Sequence, residues 1–302
     1  MGTINQFQGC IFAGAIGDAW GSGYENLQEV PKDVFMLFET PEPKEPNWQI
    51  TDDTQLTLAT IEGLVASPNA DPAIVAQYYL NYYQQRKLSG LGASTLKALQ
   101  ELKAGGHWSQ VGRRGEHAAG NGAAMRIAPL AFCKHISRSQ VRDICRITHH
   151  NDEAYVGALC VVLAIRAILE ENWDGTNSLI ELLVDQIPDT LVRDRLIAIK
   201  DIDDLEQIGQ MGNNGYVVNS VPLAIAAANQ VLAIGMEQMF QTLIDIGGDT
   251  DTNCSIAGQI AGTLVGKNHL PKHLLEQLFS LSEWPWIERV TNSFLLEMGT
   301  RT

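Results

Sequence analysis

The stretch Ile50-Thr51-Asp52-Asp53-Thr54-Gln55-Leu56 leads into Leu56, Ala59, Thr60, Gly63 and Leu64, small or apolar residues spaced three and four apart. At 3.6 residues per turn these side chains line one face of a buried helix. Thr51 is a good N-cap for that helix, since its hydroxyl can accept from an orphan backbone N–H, and acids in the first turn are favoured by the helix dipole. The same periodicity returns in Val156, Leu159, Cys160, Leu163, Ala164 and Ala167, and around Leu88 to Leu102, Val141 to Ile147, Pro222 to Ile234 and Met236 to Ile244. No strand-like alternation between turn signals competes with it. The expectation is an all-α fold, one compact multi-helix domain over 1–302.

Composition agrees with a deep core: of 302 residues, 45% are apolar and 19% charged, far from the balance of a disordered chain. A formal net charge of −14 opposes binding to bare nucleic acid, whose affinity comes mainly from cations displacing counterions at phosphates. Cysteines 10, 133, 145, 160 and 254 are odd in number, scattered and free of a Cys-x-x-Cys pair, which favours reduced thiols over a disulfide framework. The apolar stretch Cys10 to Trp20 contains Asp18 and two glycines and fits neither a signal peptide nor a membrane span. The chain is expected to be cytoplasmic and monomeric, with no membrane partner.

Thr51-Asp52-Asp53-Thr54 taken alone is most simply a helix cap. A second cluster, Ile246-Gly247-Gly248-Asp249-Thr250-Asp251-Thr252-Asn253, offers more oxygens than a cap needs. Asp249 and Asp251 are two apart, so an extended segment would turn both side chains to one side, and a helix is expected to start near Thr252. The two clusters supply four carboxylates and threonine hydroxyls with no thiolate or imidazole, a hard donor set that suits Mg²⁺, Mn²⁺ or Ca²⁺ rather than zinc. The spacing is not that of an EF-hand, and two ions would be needed to neutralise so many neighbouring acids. Gly258, Gly262 and Gly266 follow four apart and read as close helix packing, seating this helix against the one that begins near Thr51.

Between these clusters, Gly105-Gly106-His107-Trp108 to Gly120-Asn121-Gly122-Ala123-Ala124-Met125-Arg126 gathers glycines with Arg113, Arg114, Arg126, His107 and His117. Exposed N–H groups in such a loop can cradle phosphate, although a flexible connector has the same composition. His149 and His150 are adjacent and cannot share a helix face, so at most one enters a site. From Tyr24 to Ile50 there are four prolines and no periodicity, the mark of a long loop that can act as a lid. Asp18 and Glu25 lie at its entrance, and Glu25 is either a general base carried by the lid or a solvated surface acid.

In this order, Gly17-Asp18-Ala19 with Glu25, Thr51-Asp52-Asp53-Thr54-Gln55, Gly120-Asn121-Gly122 through Met125-Arg126, Ile147-Thr148-His149, Ser220-Val221-Pro222 and Gly247-Gly248-Asp249-Thr250-Asp251-Thr252 resemble the ADP-ribosylglycohydrolase family. The resemblance implies an all-α fold with a binuclear centre of two Mg²⁺ or Mn²⁺ held by Thr51, Asp52, Asp53, Asp249, Asp251 and Thr252. It implies that Gly120, Asn121, Gly122 and His149 contact ADP-ribose, and that Glu25 lies on a mobile flap of about residues 24–50. Gly23-Tyr24 replaces the family's proline-containing approach to Glu25, and Cys254 stands where alanine is common. The implied activity is removal of ADP-ribose from a modified protein, at the N-glycosidic bond to arginine, with Glu25, Asp52 or Asp53 taking a proton. Two alternatives remain: hydrolysis of an O-linked conjugate such as ADP-ribosyl-serine or O-acetyl-ADP-ribose, and a non-catalytic member that binds ADP-ribose or neutralises a toxin.

Overall fold

A computed structural model of the chain describes residues 2–25 and 47–299. The first half carries α1 (Gly2–Gly21), α2 (Asp52–Ala66), α3 (Pro72–Gln84), α4 (Ala93–Lys103), α5 (Arg138–Arg146) and α6 (Asp152–Leu169). The second half adds short helices α7 (Leu179–Val184), α8 (Leu191–Ile199) and α9 (Leu205–Gln210), then α10 (Val217–Asn229), α11 (Val231–Ile234), α12 (Met236–Ile246) and α13 (Thr250–Val265). α14 (Lys272–Ser280) and α15 (Trp284–Gly299) close the chain. The expected all-α architecture is what forms. Residues 26–46 of the expected flap lie outside the described residues.

α13 is buried from Thr250 to Thr263 and α10 from Val217 to Ala228 with Asn219 half-exposed, while α5, α12 and α14 bury one stripe each. Helices apolar all round form the interior, and amphipathic ones clad it. The glycines of α13 pack against a helix other than the one anticipated. Their main partner is α1, not α2, and the two run antiparallel with backbones nearly touching. A Cβ on Gly258 would fall 2.3 Å from the Ala13 carbonyl oxygen, one on Gly262 2.2 Å from that of Gly9, and one on Gly9 2.1 Å from that of Gly262. Gly266 ends α13 at φ 72° and meets α1 as well, its Cα lying 2.9 Å from where a Cβ on Gly9 would fall.

Other boundaries moved for identifiable reasons. Pro222, expected to open a helix, lies inside α10; the missing N–H forfeits one ladder bond, which the burial of nearly every residue of α10 outweighs. Residues 88–92 are not helical, and α4 begins only at Ala93. A two-residue parallel pair, β1 (Arg113–Arg114) with β2 (His149–His150), was invisible in the sequence because two residues carry no period. None of the five cysteines forms a disulfide, and burial pushes the thiols of Cys10, Cys145 and Cys160 up to about 12. Among the described residues no helix is long and apolar enough to cross a membrane.

Because carbonyl oxygens cannot move aside as a side chain can, Gly262→Ala should destabilise the protein by at least about 2 kcal/mol. At Gly92 an added Cβ meets nothing within 4 Å, and Gly92→Ala should change stability by about 1 kcal/mol or less. Urea titration of the two variants checks the contrast.

Candidate active site

The α1–α13 contact brings the end of α1 beside the start of α13, where the Thr250 hydroxyl donates to the Gly21 carbonyl oxygen at 2.8 Å. From there the buried Asp18 reaches to α2. Its carboxylate accepts from the Thr51 N–H (3.0 Å), the Thr51 hydroxyl (2.7 Å), the Thr54 N–H (3.0 Å) and the Thr54 hydroxyl. Burial pushes Asp18 up to about 6 against the pull of these four donors. Thr51 caps α2 as expected, its hydroxyl oxygen accepting from the Asp53 N–H at 3.4 Å. The sequence places Asp18 at the entrance of the loop and in the Gly17-Asp18-Ala19 motif, but not as the anchor of α2, because its partners lie 33 and 36 residues away.

Asp52 and Asp53 thus project from the first turn of α2 toward the first turn of α13. The Thr252 hydroxyl donates to Asp53 Oδ2 at 3.2 Å, and Thr51 Oγ1 lies 3.4 Å from Asp251 Oδ2. The Asp249–Asp251 segment is not extended. Asp249 is the N-cap of α13 and Asp251 its second residue, so the two carboxylates converge through a helical turn. Gly247 and Gly248, at φ 76° and 83°, make the reversal into this cap, a conformation that favours glycine. Asn213 holds the far side, its carbonyl oxygen accepting from the Asp249 N–H (3.0 Å) and the Asn253 side chain (2.8 Å).

A cavity of about 460 Å³ opens over these acids, lined by Asp52, Asp53, Asp249, Asp251 and Thr252 on one side and by Gly120, Asn121, Gly122 and His149 on the other. Glu25 is at its exposed mouth, with a carboxylate oxygen within 4.8 Å of oxygens of Asp249 and Asp251. Thr51 stands behind the cavity wall. Asn121 donates to Asp249 Oδ2 at 2.7 Å, so it orients an acid as well as facing the cavity. A Cβ at Gly122 would lie 3.0 Å from His149 Cε1, and one at Gly120 3.2 Å from Nε2, so glycine at these positions lets the imidazole lie against the loop. His149 and His150 take opposite sides of β2; only His149 lines the cavity.

One element of the lining is not legible in the sequence. The N-terminus of α4 opens into the cavity with Gly92 as an N-cap that makes no side-chain bond, followed by Ala93, Ser94 and Thr95. Gln55, from the quoted Thr-Asp-Asp-Thr-Gln motif, clamps the loop before it by accepting from the Ser89 N–H (2.8 Å) and donating to the Ser89 hydroxyl (2.9 Å) and the Ile50 carbonyl oxygen (3.2 Å). Free N–H groups at a helix start favour an anion, and the Gly-Leu-Gly before Ala93 was the available signal. Of the arginines in the glycine-rich stretch, Arg113 lines the cavity, Arg114 is turned outward, and Arg126 is buried beneath.

The acids are held at a cost. Burial first, then the charges of neighbouring acids, pushes Asp53 and Asp52 well above the usual carboxylate range, and burial with the Asp249 contact does the same to Asp251. Among the described residues no hydrogen-bond donor reaches the buried Asp53 Oδ1. Carboxylate and hydroxyl oxygens converging with an unsatisfied acceptor are what a hard divalent cation relieves, so the donor set fits such an ion. His149 behaves oppositely: burial, then Arg126 and Arg113, lowers it to about 3, and the ring is neutral at neutral pH.

These features define an all-α protein with an acid-floored cavity facing a glycine-rich loop and an open helix start. The chain belongs to the ADP-ribosylglycohydrolase family, whose sequence profile matches residues 2–302, and it is a glycosyl hydrolase. It is similar to the ADP-ribosylhydrolase ARH3 of Danio rerio, 26% identical over 89% of this chain and 85% of that protein. It is also similar to the ADP-ribosylarginine hydrolase Tri1 of Pseudomonas putida, 26% identical over 91% of this chain and 75% of that one. A solved structure described as an ADP-ribosylglycohydrolase-related protein complex superposes with a TM-score of 0.65 at 25% identity, covering 97% of both chains.

Asp18→Asn replaces an acceptor of four bonds with a group that turns an NH₂ toward N–H donors. It should lower stability by about 2–4 kcal/mol in a denaturant titration. The His149 sign is the reverse of an acid's. Below pH 6.5 the unfolded chain binds a proton that the folded one refuses until about 3, so stability is lost as pH falls through that window. Relative to His149→Gln, the wild type should lose about 1.4 kcal/mol per pH unit between pH 6 and 4, read from melts across that range.

Proposed function

We propose that the chain hydrolyses the N-glycosidic bond between ADP-ribose and an arginine side chain of a modified protein, using two divalent cations held by Asp52, Asp53, Asp249, Asp251, Thr252 and Thr51. The observation that carries this reading is the convergence of four carboxylates from opposite ends of the chain on one cavity that also offers anion-binding N–H groups. Its coarser part, an ADP-ribosylglycohydrolase, is the family itself. The arginine linkage is supported by the acidic mouth at Glu25, complementary to a guanidinium, and by the similarity to the ADP-ribosylarginine hydrolase.

In this reading the start of α4 and the Gly120–Gly122 loop receive the pyrophosphate, with Arg113 adding positive charge from the wall. Binding energy from that remote part of the ligand holds the anomeric carbon over the acids. A divalent cation bound at the acids would supply Lewis acidity and charge neutralisation. Asn121 keeps Asp249 directed into the cluster, while Asp18, through Thr51 and Thr54, keeps Asp52 and Asp53 in register. Water adds its hydroxyl to the anomeric carbon as the carbon–nitrogen bond breaks through an oxocarbenium-like state, and its proton passes by way of Glu25, Asp52 or Asp53 to the departing guanidine. Magnesium and manganese both suit these oxygens.

Incubation with an arginine-ADP-ribosylated protein and Mg²⁺ or Mn²⁺ should release free ADP-ribose, and Asp52→Ala or Asp251→Ala should reduce the rate by at least about 100-fold. Release from a serine-linked substrate but not from the arginine-linked one would move the assignment to O-linked conjugates. Binding of ADP-ribose without release from either would leave a binding protein. Separately, saturating Mn²⁺ at about 100 times its dissociation constant should stabilise the wild type by about 2.7 kcal/mol, and thermal melts of Asp251→Ala should lack that gain.

A further inference from the structure

Among the described residues Arg126 is the one arginine with no exposed surface, and no carboxylate of those residues lies within ion-pair distance of it. Its partners are neutral: Nε donates to the Tyr79 hydroxyl at 3.1 Å, one terminal nitrogen to the Gly122 carbonyl oxygen, and the other to the Thr148 hydroxyl at 2.6 Å, with the Tyr79 ring 4.9 Å from its guanidinium carbon. A buried cation is expensive unless paired. These contacts place it under the cavity wall, one residue removed from the imidazole that lines it.

The chain of donors leaves a single consistent arrangement. Guanidinium can only donate, so the Thr148 oxygen accepts from Arg126. That same oxygen is 2.7 Å from His149 Nδ1. If Nδ1 carried the proton, the Thr148 hydroxyl would receive two donors and its own hydrogen would be buried without an acceptor. Only a hydroxyl donating to an unprotonated Nδ1 satisfies all three groups. The proton of the neutral ring then lies on Nε2, beside Gly120 and Gly122 and facing the cavity.

We propose that Arg126 is a positioning residue that, through Thr148, locks His149 as an Nε2–H donor toward an oxygen acceptor of the bound ligand, while its bond to Gly122 holds the loop against the same ring. The acceptor belongs to the phosphate or ribose oxygens of the ligand; this part rests on the reading of the cavity as an ADP-ribose site. The tautomer does not. A salt bridge in place of Thr148 would give the opposite outcome, since a carboxylate beside Nδ1 would draw the proton to that nitrogen.

The test combines nitrogen NMR of ¹⁵N-histidine-labelled protein with calorimetric titration of ADP-ribose. Wild type should show His149 with an unprotonated Nδ1 and a protonated Nε2. Thr148→Val keeps the shape but removes the hydroxyl, and should yield a tautomer mixture with affinity lowered by about tenfold; Thr148→Ser should restore both readouts. Arg126→Lys, which loses the fork that reaches Gly122 and Thr148 together, should resemble Thr148→Val if it folds. A protonated Nδ1 in the wild type, or an unchanged tautomer and affinity in Thr148→Val, would overturn the proposal. Failure of wild type to bind ADP-ribose would sink the ligand reading instead, and the tautomer measurement would still decide the role of Arg126.

Discussion

Everything at the site depends on two helices whose backbones meet without side chains between them. α1 and α13 can approach so closely only because Gly9, Gly258 and Gly262 present no Cβ to the facing carbonyls. That approach sets Asp18 and Thr250 to Thr252 side by side, and Asp18 then captures the start of α2 through four bonds to Thr51 and Thr54. Two segments about two hundred residues apart are thereby held as facing helix starts. Helix starts tolerate acids well, which is part of how so many can be gathered in one place.

The arrangement carries a large electrostatic debt. Burial raises Asp18, Asp52, Asp53 and Asp251, the charges of Asp18 and Asp249 push the last three up further, and the nearest buried cation, Arg126, is bonded to neutral groups on the other side of the wall. Its field favours the charged form of Asp52 and opposes protonation of His149. A neutral imidazole beside the loop and a cation-seeking cluster opposite it make the cavity electrically two-sided. That division suits a ligand with phosphates at one end and a sugar carbon at the other.

Much of this was legible beforehand, for reasons that differ from residue to residue. Thr51 with Asp52 and Asp53 announced a helix start, and Leu56 to Leu64 its buried face, because capping and periodicity are local properties. Spacing predicts that Asp249 and Asp251 converge from an extended segment; they converge through a helical turn instead, since Gly247 and Gly248 allow the chain to reverse and Asp249 to take the N-cap position of α13. The four-residue spacing of Gly258, Gly262 and Gly266 predicts a close-packing face, and the helix that meets it is α1 rather than α2. Spacing within one helix says that something packs there and not what.

The amino-acid sequence by itself determined the helical class, the hard oxygen donors and the glycine-rich loop, because each follows from residue type and short-range spacing, whereas the place of His149 beside that loop was implied only by the family resemblance. Only the tertiary structure decided that Asp18 organises α2, that Gln55 aims the start of α4 at the cavity, that Asn121 holds Asp249, and that Arg126 reaches His149 through Thr148. Those are contacts between residues distant along the chain or turned by a local bend. Their distances are set by how α1, α2 and α13 pack, and no short-range pattern encodes that.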